Sequence, residues 1–370
     1  MRFPYKGDWH KRKLNEICLF FKGNGLSKSD LSNEGFPCIL YGELYTTYKN
    51  EVISDIISKT NTTLSNPFLS RNNDLIIPGS GEDPIDIAVA RAIYQNDIIL
   101  GGDLNILRPK SNVSAAFLSY QLNGVRRYDI AKKAQGKSIV HLHNSDLKEV
   151  LVSIPSYDEQ LHIVKLLTKI DEMIETQSKI IDTLSSQKKQ IRNLIFKDIH
   201  KNANCCIQDY VIYEQPQKYI VHSTDYLSYG KDYTPVLTAN QSFILGYTLE
   251  KDGIYEKGDC IIFDDFTNEN KYVDFPFKVK SSALKILQTK EGLMLKFFYE
   301  YLQFLNFEST DHKRHYLSEV AVTDVSVPNL KEQTFVCKIF TSFDNKLKNE
   351  EALLEKYRLQ KQFFLNNLFI

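Results

Sequence analysis

Two long stretches of the chain share one pattern of apolar and polar positions. The segment IPSYDEQLHIVKLLTKIDEMIE, which begins at Ile154, matches the segment VPNLKEQTFVCKIFTSFDNKLK, which begins at Val327. The same offset of 173 positions aligns Pro155 with Pro328, and no insertion interrupts the alignment over roughly forty residues. The two stretches are therefore copies of one structural element.

Each copy is predicted to form one long helix. A proline stands at the start of each copy, and residues 156–196 and 329–370 contain neither Gly nor Pro, so nothing breaks either helix. In both copies apolar residues recur with the heptad spacing of a helix–helix seam. The seam positions are Ile163, Ile170, Leu184 and Ile191 in the first copy and Val336, Phe343, Tyr357 and Phe364 in the second.

These seams predict how the helices are buried. A small domain cannot cover an apolar face of this length, so we expect the two helices to pack against each other as an antiparallel coiled coil. The alternatives are two unrelated exposed helices or a coiled coil formed between separate chains. Neither alternative accounts for the shared offset.

The repeat continues more loosely upstream of each helix. Phe117 aligns with Phe297 at an offset of 180, and residues 75–77 align with residues 260–262 at an offset of 185. This change of offset indicates two related domains whose loops differ in length. Short β-rich runs followed by a helical pattern predict an α/β (α+β) fold for both domains; the runs lie at 74–77 and 259–263, and the helical patterns near 115–122 and 293–305.

The predicted organisation is an internal pseudo-two-fold repeat with four segments. Residues 1–155 form the first globular domain and residues 156–200 the first long helix. Residues 201–328 form the second globular domain and residues 329–370 the second long helix.

Composition fits two folded domains. The 370 residues are about twice the usual domain size, with 42% hydrophobic and 25% charged residues. No run approaches the roughly 18 consecutive apolar residues of a membrane helix, and the charged start MRFPYKGDWHKRK has no apolar segment behind it. We therefore expect a cytoplasmic protein. The six cysteines lack CxxC spacing and are expected to be reduced thiols.

Overall charge gives no indication of a nucleic-acid partner, because Lys+Arg and Asp+Glu both number 46. Any basic surface must be local. Residues 126–137 contain five basic residues and one acid, Asp129, and a smaller basic cluster lies at 11–13. Solvated helix faces that happen to be basic are an open alternative.

Several local motifs carry a resemblance to a known family. They are GFPCILYGELY at 35–45, DLII at 74–77 leading into GSGE at 79–82, and AQGKSI at 134–139. The most specific is Pro155 followed by Glu159-Gln160, which is repeated as Pro328 followed by Glu332-Gln333. With these motifs the chain resembles, over essentially its whole length, the specificity subunits of type I restriction-modification enzymes.

The resemblance implies a function. Each globular domain would be a target-recognition domain that reads one half of a bipartite site in double-stranded DNA, and the long helices would fix the gap between the halves. Such a chain is non-catalytic and binds no cofactor itself. It docks two modification subunits, which methylate adenine with S-adenosylmethionine, and restriction subunits that use ATP and magnesium. The helices are the expected docking surface.

The matched motifs also imply which residues contact DNA. Lysines around flexible Gly136 are placed to reach phosphates, and Gln135 or Ser138 to reach a base edge, since Gln pairs bidentately with adenine. The glycines have turn geometry as an alternative role. The candidates in the first domain are Tyr41, Gly42, Glu43, Ser80, Gly81, Glu82, Lys132, Lys133, Gln135, Gly136, Lys137 and Ser138, with Arg71, Arg91 and Arg127 as further candidates.

The second domain departs from the family pattern. Residues 235–240 stand where the tyrosine-glycine motif was, and Asp264-Asp265-Phe266 replaces the Gly-Ser-Gly segment. No Gly-Lys-Ser equivalent precedes the second helix, although Lys313 and Arg314 keep this part of the chain basic. Lys313 and Arg314 are therefore the DNA-contact candidates of the second domain.

No catalytic or metal site is predicted. Asn66-Pro67-Phe68 lacks the second proline of the amino-methyltransferase motif, and no glycine-rich cofactor loop follows a strand. Carboxylates at 82–86 and 264–265 lack the lysine-bearing strand of nucleases, and His141 with His143 lacks a third zinc ligand. Two alternatives stay open, a self-contained DNA-modifying enzyme and a helical interaction protein that does not bind DNA.

Overall fold

The computed structural model describes residues 7–230, 232–239, 242–307 and 314–369. The chain divides into two compact units, one formed by Met1–Lys179 with Ala352–Ile370 and the other by Ile180–Glu351. Each unit thus contains a globular part and a portion of both long helices. Within the described residues, none of the helices combines the length and the apolar composition needed to cross a membrane.

The two predicted long helices are present. The first long helix spans Tyr157–His200 and the second long helix spans Leu330–Asn367, 44 and 38 residues respectively. Both are uninterrupted, as the absence of Gly and Pro predicts.

A buried glutamine fixes the start of the first long helix and explains the Glu-Gln motif. The Gln160 side chain donates to the carbonyl oxygens of Pro155 and Asn112, each at 3.1 Å, and accepts from the Ser114 amide at 3.0 Å. Asn112 has a φ of 66°, so the turn to which Gln160 donates a hydrogen bond contains a residue in the left-handed region. The helix start is thereby tied to the turn that leads into the helix Ala115–Asn123.

The second long helix begins with the same arrangement. Gln333 donates to the carbonyl oxygens of Pro328 and Gly292, each at 2.8 Å, and accepts from the Met294 amide at 2.7 Å. Gly292, the partner at the position of Asn112, also has a positive φ, of 93°. Both glutamines are fully buried. Both copies of the repeat therefore use a buried glutamine to make the same set of hydrogen bonds at the start of the long helix.

The globular part of the first unit is built on mainly antiparallel sheets, each of the two larger ones with one short parallel pair, and short helices lie around them. Asp74–Pro78 is a central strand, and all five of its residues are buried, which accounts for its continuous apolar run. The five-stranded sheet has the order Cys18–Lys22, Leu104–Pro109, Asp74–Pro78, Arg91–Ile93, Val52–Ile53. The four-stranded sheet has the order Ile99–Leu100, Phe36–Ile39, Ser58–Thr60, Leu31–Ser32, and His10–Lys13 pairs with Leu151–Ile154. The short α-helices are Leu14–Ile17, Glu43–Thr46, Pro84–Ile87, Ala115–Asn123, Arg127–Ala131 and Asn144–Lys148.

Among the residues that the structure describes, the second unit repeats this plan with fewer strands. Its four-stranded sheet has the order Val211–Glu214, Leu284–Thr289, Cys260–Asp264, Asn270–Val273. Its three-stranded sheet has the order Ile244–Thr248, Thr234–Leu237, Lys278–Val279, and Cys205–Cys206 pairs with Asp324–Val325. Its α-helices besides the long ones are Ile207–Tyr210 and Leu295–Leu305, and Tyr316–Val320 is a π-helix turn.

The two globular parts share one topology. In each, the central strand lies antiparallel to a six-residue strand, which in turn pairs with the first strand of the sheet; the six-residue strands are Leu104–Pro109 and Leu284–Thr289. In each, a second sheet contains a short parallel pair, Phe36–Ile39 with Ile99–Leu100 and Thr234–Leu237 with Lys278–Val279. This topology confirms the predicted α/β repeat.

In each unit the long-helix segments run antiparallel to each other. In the first unit Ile163 and Leu167 share a hydrophobic core with Leu368, and farther along Asp171 meets Lys361. In the second unit the core joins Phe196 to Val336 and Phe340. Of the predicted seam residues, Ile163, Ile170, Leu184 and Val336 are buried, and Ile191, Phe343, Tyr357 and Phe364 are partly buried.

One ion pair recurs at equivalent repeat positions. Asp171 and Asp344 are equivalent at the offset of 173, and so are Lys188 and Lys361. In the first unit Lys361 lies 2.6 Å from Asp171, and in the second unit Lys188 lies 2.6 Å from Asp344. Each pair joins a lysine of one repeat to the aspartate of the other, as an internal two-fold repeat requires.

Candidate nucleic-acid interface

Two of the predicted contact segments meet in one small sheet of the first unit. Gln135–Gly136, Val140–His141 and Ser80–Gly81 form three antiparallel strands in that order. Residues 79–82 and 134–139 are far apart in the sequence, so the strand pairing alone brings them together. The two segments therefore belong to one small sheet, in which Gln135 and Gly136 are exposed and Ser80 and Gly81 are buried.

Residues 135–141 form a tight hairpin, which we call the 135–141 hairpin. Gly136 has a φ of 140°, and a Cβ atom there would lie 2.0 Å from the carbonyl oxygen of Ile139. Only glycine fits this position, so Gly136 shapes the hairpin. Lys137, Ser138 and Ile139 form the exposed tip.

The third candidate segment, residues 41–43, lies near this sheet through Tyr45, which is not among the sequence-predicted contacts. A Cβ atom on Gly81 would lie 3.6 Å from the Tyr45 hydroxyl, and one on Gly42 would lie 3.7 Å from it. Burial raises the pKa of Tyr45, and Tyr41 and Glu82 raise it further. Tyr41 and Gly42 are half-buried, whereas Glu82 is exposed.

Two of the candidate side chains are occupied within the protein. Glu43 accepts hydrogen bonds from the Leu40 amide at 2.7 Å and from the Ser58 hydroxyl. Ser80 is buried and donates to Asp103 at 3.1 Å. Both side chains stabilise the loops that present their neighbours.

Two of the further arginine candidates donate hydrogen bonds to backbone carbonyl oxygens within the protein. Arg91 is buried, and its Nε donates to the carbonyl oxygens of Leu44 and Tyr48 at 3.2 and 3.1 Å. Arg127 donates to the carbonyl oxygen of Ile85 at 3.1 Å. These arginines fix the ends of two short helices, whereas Arg71 is exposed.

The lysines near the hairpin lie outside the salt bridges of the described residues. Lys132 and Lys137 are exposed and Lys133 is half-buried, and none of them makes a salt bridge with any residue that the structure describes. The smaller basic cluster differs, because Lys13 lies 2.6 Å from Glu149. The positive charge of the first unit is therefore available beside the hairpin.

The second unit places different residues at the corresponding position. Asp265 follows the strand Cys260–Asp264, which corresponds to Asp74–Pro78, and accepts a hydrogen bond from the Tyr316 amide at 2.9 Å. The exposed Arg314 lies with its guanidinium carbon 5.8 Å from the centre of the Phe266 ring. Lys313 lies outside the described residues. Phe266 stands at the position of Gly81 at the offset of 185, and Arg314 lies near its ring.

The acidic candidates serve structural roles. Asp83 caps the short helix Pro84–Ile87 by accepting from the Ile85 amide at 2.6 Å. Among the described residues, one group has metal-ligand proximity, formed by His222, Glu250 and Asp252. Glu250 already binds the buried Lys278 ammonium at 2.8 Å, so the ammonium balances the charge of this carboxylate without a metal ion.

Comparison with known proteins relates the chain to one family. Residues 6–186 match the family described as type I restriction modification DNA specificity domain. The specificity subunit of the type I restriction enzyme EcoR124I/EcoR124II from Escherichia coli is 39% identical over 170 residues, which cover 42% of this chain and 41% of that protein. A putative MjaX specificity subunit from Methanocaldococcus jannaschii is 24% identical over 205 residues, covering 51% and 45%. The chain thus matches less than half the length of either relative.

Solved structures share the fold over nearly the whole chain. The S subunit of the type I restriction-modification system from M. genitalium has a TM-score of 0.66 at 18% identity, covering 98% of this chain and 96% of that one. A chain from a study of complex assembly in a type I R-M system has a TM-score of 0.52 at 13% identity, covering 98% of both. At these identities the similarity is one of fold.

Proposed function

Residues 6–186 belong to the family of type I restriction modification DNA specificity domains, and from this premise we propose that the chain reads the two halves of a bipartite DNA site. The observation that supports this proposal is one scaffold used twice with different polar surfaces. The glutamine hydrogen bonds and the Lys–Asp pairs recur in both units, whereas Gly81 beside the 135–141 hairpin is replaced by Phe266, which lies near Arg314. Two domains with the same fold but different polar surfaces are suited to bind two different half-sites.

The candidate contacts have the chemistry of DNA recognition. Lys132, Lys133 and Lys137 would neutralise phosphates, which fixes the register of a protein on the duplex without reading its sequence. Gln135 and Arg314 would approach base edges, because these side chains pair bidentately with adenine and guanine respectively.

The proposed role is non-catalytic. Two of the acidic groups near candidate metal positions already have partners within the chain, since Asp83 caps a helix and Glu250 contacts Lys278. Adenine methylation with S-adenosylmethionine and DNA cleavage with ATP and magnesium would be carried out by the modification and restriction subunits.

An exposed apolar groove in the second unit is our candidate for docking a modification subunit. It measures about 730 Å³ and lies between the end of the first long helix and the start of the second. Leu194 and Phe335 line it and are 73% and 66% exposed, a large apolar exposure for a monomer surface. Tyr157 and Leu330, equivalent at the offset of 173, are 41% and 56% exposed at the two helix starts. Equivalent apolar positions at both starts suit two copies of one partner.

The long helices are the proposed spacer between the half-sites. The 44 residues of the first long helix at about 1.5 Å per residue extend for about 66 Å. A rigid helical segment converts protein length into a fixed distance between recognition elements, as in dimeric DNA readers.

The test is reconstitution with the cognate modification subunit. The two proteins should form a complex that methylates adenine in a bipartite motif, which sequencing of methylated genomic DNA would show. The chain alone, supplied with S-adenosylmethionine or with magnesium and ATP, should show neither methyl transfer nor cleavage. Turnover by the isolated chain, or a complex that methylates without sequence preference, would contradict the proposal.

A further inference from the structure

The 135–141 hairpin arranges polar side chains in a row that the sequence motifs do not explain. Gln135 lies opposite His141, and His141 lies opposite Ser80 on the next strand. Directly opposed residues of antiparallel strands point to the same face of a sheet, so these three side chains form one row. Val140 and Gly81 point to the other face, where Val140 is buried in the core.

The Gln135 and His141 side chains of this row are exposed, and a second histidine, His143, lies beside His141. Gln135, His141 and His143 are all exposed. The His141 and His143 rings are parallel to within 1°, with centroids 6.1 Å apart. An amide and two imidazoles offer hydrogen-bond donors and acceptors at positions that the backbone fixes. Ile139 at the tip is 57% exposed, an apolar group without cover.

A lysine lies at the Ser80 end of the row. The Lys22 Nζ is 3.3 Å from the position that a Cβ atom on Gly79 would take. Burial lowers the pKa of Lys22, although Asp103 nearby opposes the change. Lys22 makes no salt bridge within the part of the chain that the structure describes, so its ammonium is available to an external anion.

The dimensions of the hairpin fit the major groove of DNA. The two strands of the hairpin, Gln135–Gly136 and Val140–His141, lie about 4.8 Å apart, so the hairpin is a narrow two-stranded ribbon. The major groove is about 12 Å wide and admits a two-stranded β-ribbon. A hairpin with a polar outer face and Ile139 exposed at its tip therefore has the size and the chemistry of a groove-reading element.

We propose that the 135–141 hairpin enters the major groove, that Gln135 and His141 read neighbouring base edges there, and that Lys22 binds a phosphate at the rim. This inference rests on the proposed DNA-reading function and names its reading residues in the first unit. His141 would hydrogen-bond to purine acceptors, and Ile139 would contact a thymine methyl group. His141 and Lys22 belong to none of the sequence-predicted contacts.

The test uses the reconstituted complex of the full chain with its modification subunit. His141→Ala and Gln135→Ala are each compared with the unaltered chain for binding to a pool of random-sequence duplexes, followed by sequencing of the bound DNA. The matched control is His222→Ala, an exposed histidine of the second unit that contacts Asp252. Circular dichroism checks that each variant is folded.

We expect His141→Ala to reduce the preference at one position of one half-site by about 5- to 150-fold, the range for removal of a bidentate pair or for a mismatched base. Gln135→Ala should relax an adjacent position, and Lys22→Met should instead weaken binding to all sequences and lower its salt dependence. His222→Ala should leave the motif unchanged.

The outcomes separate this inference from the proposed function. If the unaltered complex selects a bipartite motif but His141→Ala and Gln135→Ala select the same motif equally well, the hairpin is not the reading element. If His141→Ala weakens binding uniformly, the residue contacts backbone and the base-reading assignment is wrong. If the unaltered complex selects no motif, the proposed function itself fails.

Discussion

Replacement of Lys361 by Met should selectively destabilise the first unit. Lys361 is 16% exposed and lies 2.5 Å from Glu51 and 2.6 Å from Asp171, which are 7% and 6% exposed. Tyr120 also donates to Asp171 at 2.6 Å. Removal of the lysine leaves two buried carboxylates without their contacting cation. Breaking a buried pair from one side costs about 3–5 kcal/mol.

The loss of stability caused by Lys361→Met should depend on pH. Burial and the neighbouring Glu51 raise the pKa of Asp171, and Lys361 opposes this effect. A carboxyl whose pKa is raised on folding favours the folded state at acidic pH and loses that contribution as pH rises through its folded pKa. Loss of Lys361 raises the folded pKa of Asp171 further, so the variant should lose most stability near pH 7 and less at acidic pH, where Asp171 is protonated.

Hydrogen exchange followed by mass spectrometry can measure the stability of each unit separately. This matters because a chain with two units need not unfold in one step. At pH 7, exchange in peptides from the first unit should accelerate by about 100-fold to about 4,000-fold, which corresponds to 3–5 kcal/mol. Peptides from the second unit should be unchanged. The control is Lys356→Met, an exposed lysine of the same helix, which should change stability by less than about 0.5 kcal/mol.

The equivalent lysine of the second unit provides an internal comparison. Lys188 contacts Asp344 and Glu300, but Lys296 also contacts both carboxylates and Arg192 lies 2.8 Å from Glu300. Although burial opposes it, the two lysines lower the pKa of Asp344. Lys188→Met should therefore cost less than Lys361→Met. Equal costs, or a Lys361→Met effect that is the same at pH 4 and pH 7, would refute the reasoning from buried charge.

Three further predictions concern DNA recognition. Deletion of one heptad from both long helices should shorten the unread gap without changing either half-sequence, as methylome sequencing would show; an unchanged gap would contradict the spacer proposal. Replacement of Lys132, Lys133 and Lys137 by Ala should weaken binding and reduce its dependence on the logarithm of salt by about 0.9 for each phosphate that is no longer neutralised; an unchanged salt slope would place these lysines off the DNA. Arg314→Ala should cost about 1–3 kcal/mol of binding and relax one position in the second half-site, and relaxation in the first half-site would exclude the assignment.

The long helices were predictable because their signals are local and repeated. The absence of Gly and Pro, the heptad seam and the offset of 173 are all readable in the chain. The role of Gln160 was not readable, since its three partners at Asn112, Ser114 and Pro155 are brought to it by the fold. The sequence could mark the Glu-Gln motif but could not supply its hydrogen bonds.

The candidate site was predictable only in part for the same reason. Motif resemblance pointed to residues 79–82 and 134–139, but the pairing that joins them has just two opposed residues on each strand. Strands this short carry no usable periodicity. His141 was visible only as an alternation with His143, and Lys22 had no motif at all. Both become candidates once strand register places them beside Gln135 and Ser80.

The central claim is that two domains read separate halves of one DNA site, and a domain exchange tests it most directly. Residues 1–155 would be replaced by the first domain of a family member with a different motif, and adenine methylation would be mapped by sequencing in cells that supply the modification subunit. The account predicts that one half-sequence changes while the other half-sequence stays the same. A motif that changes in both halves, or in neither, would contradict it.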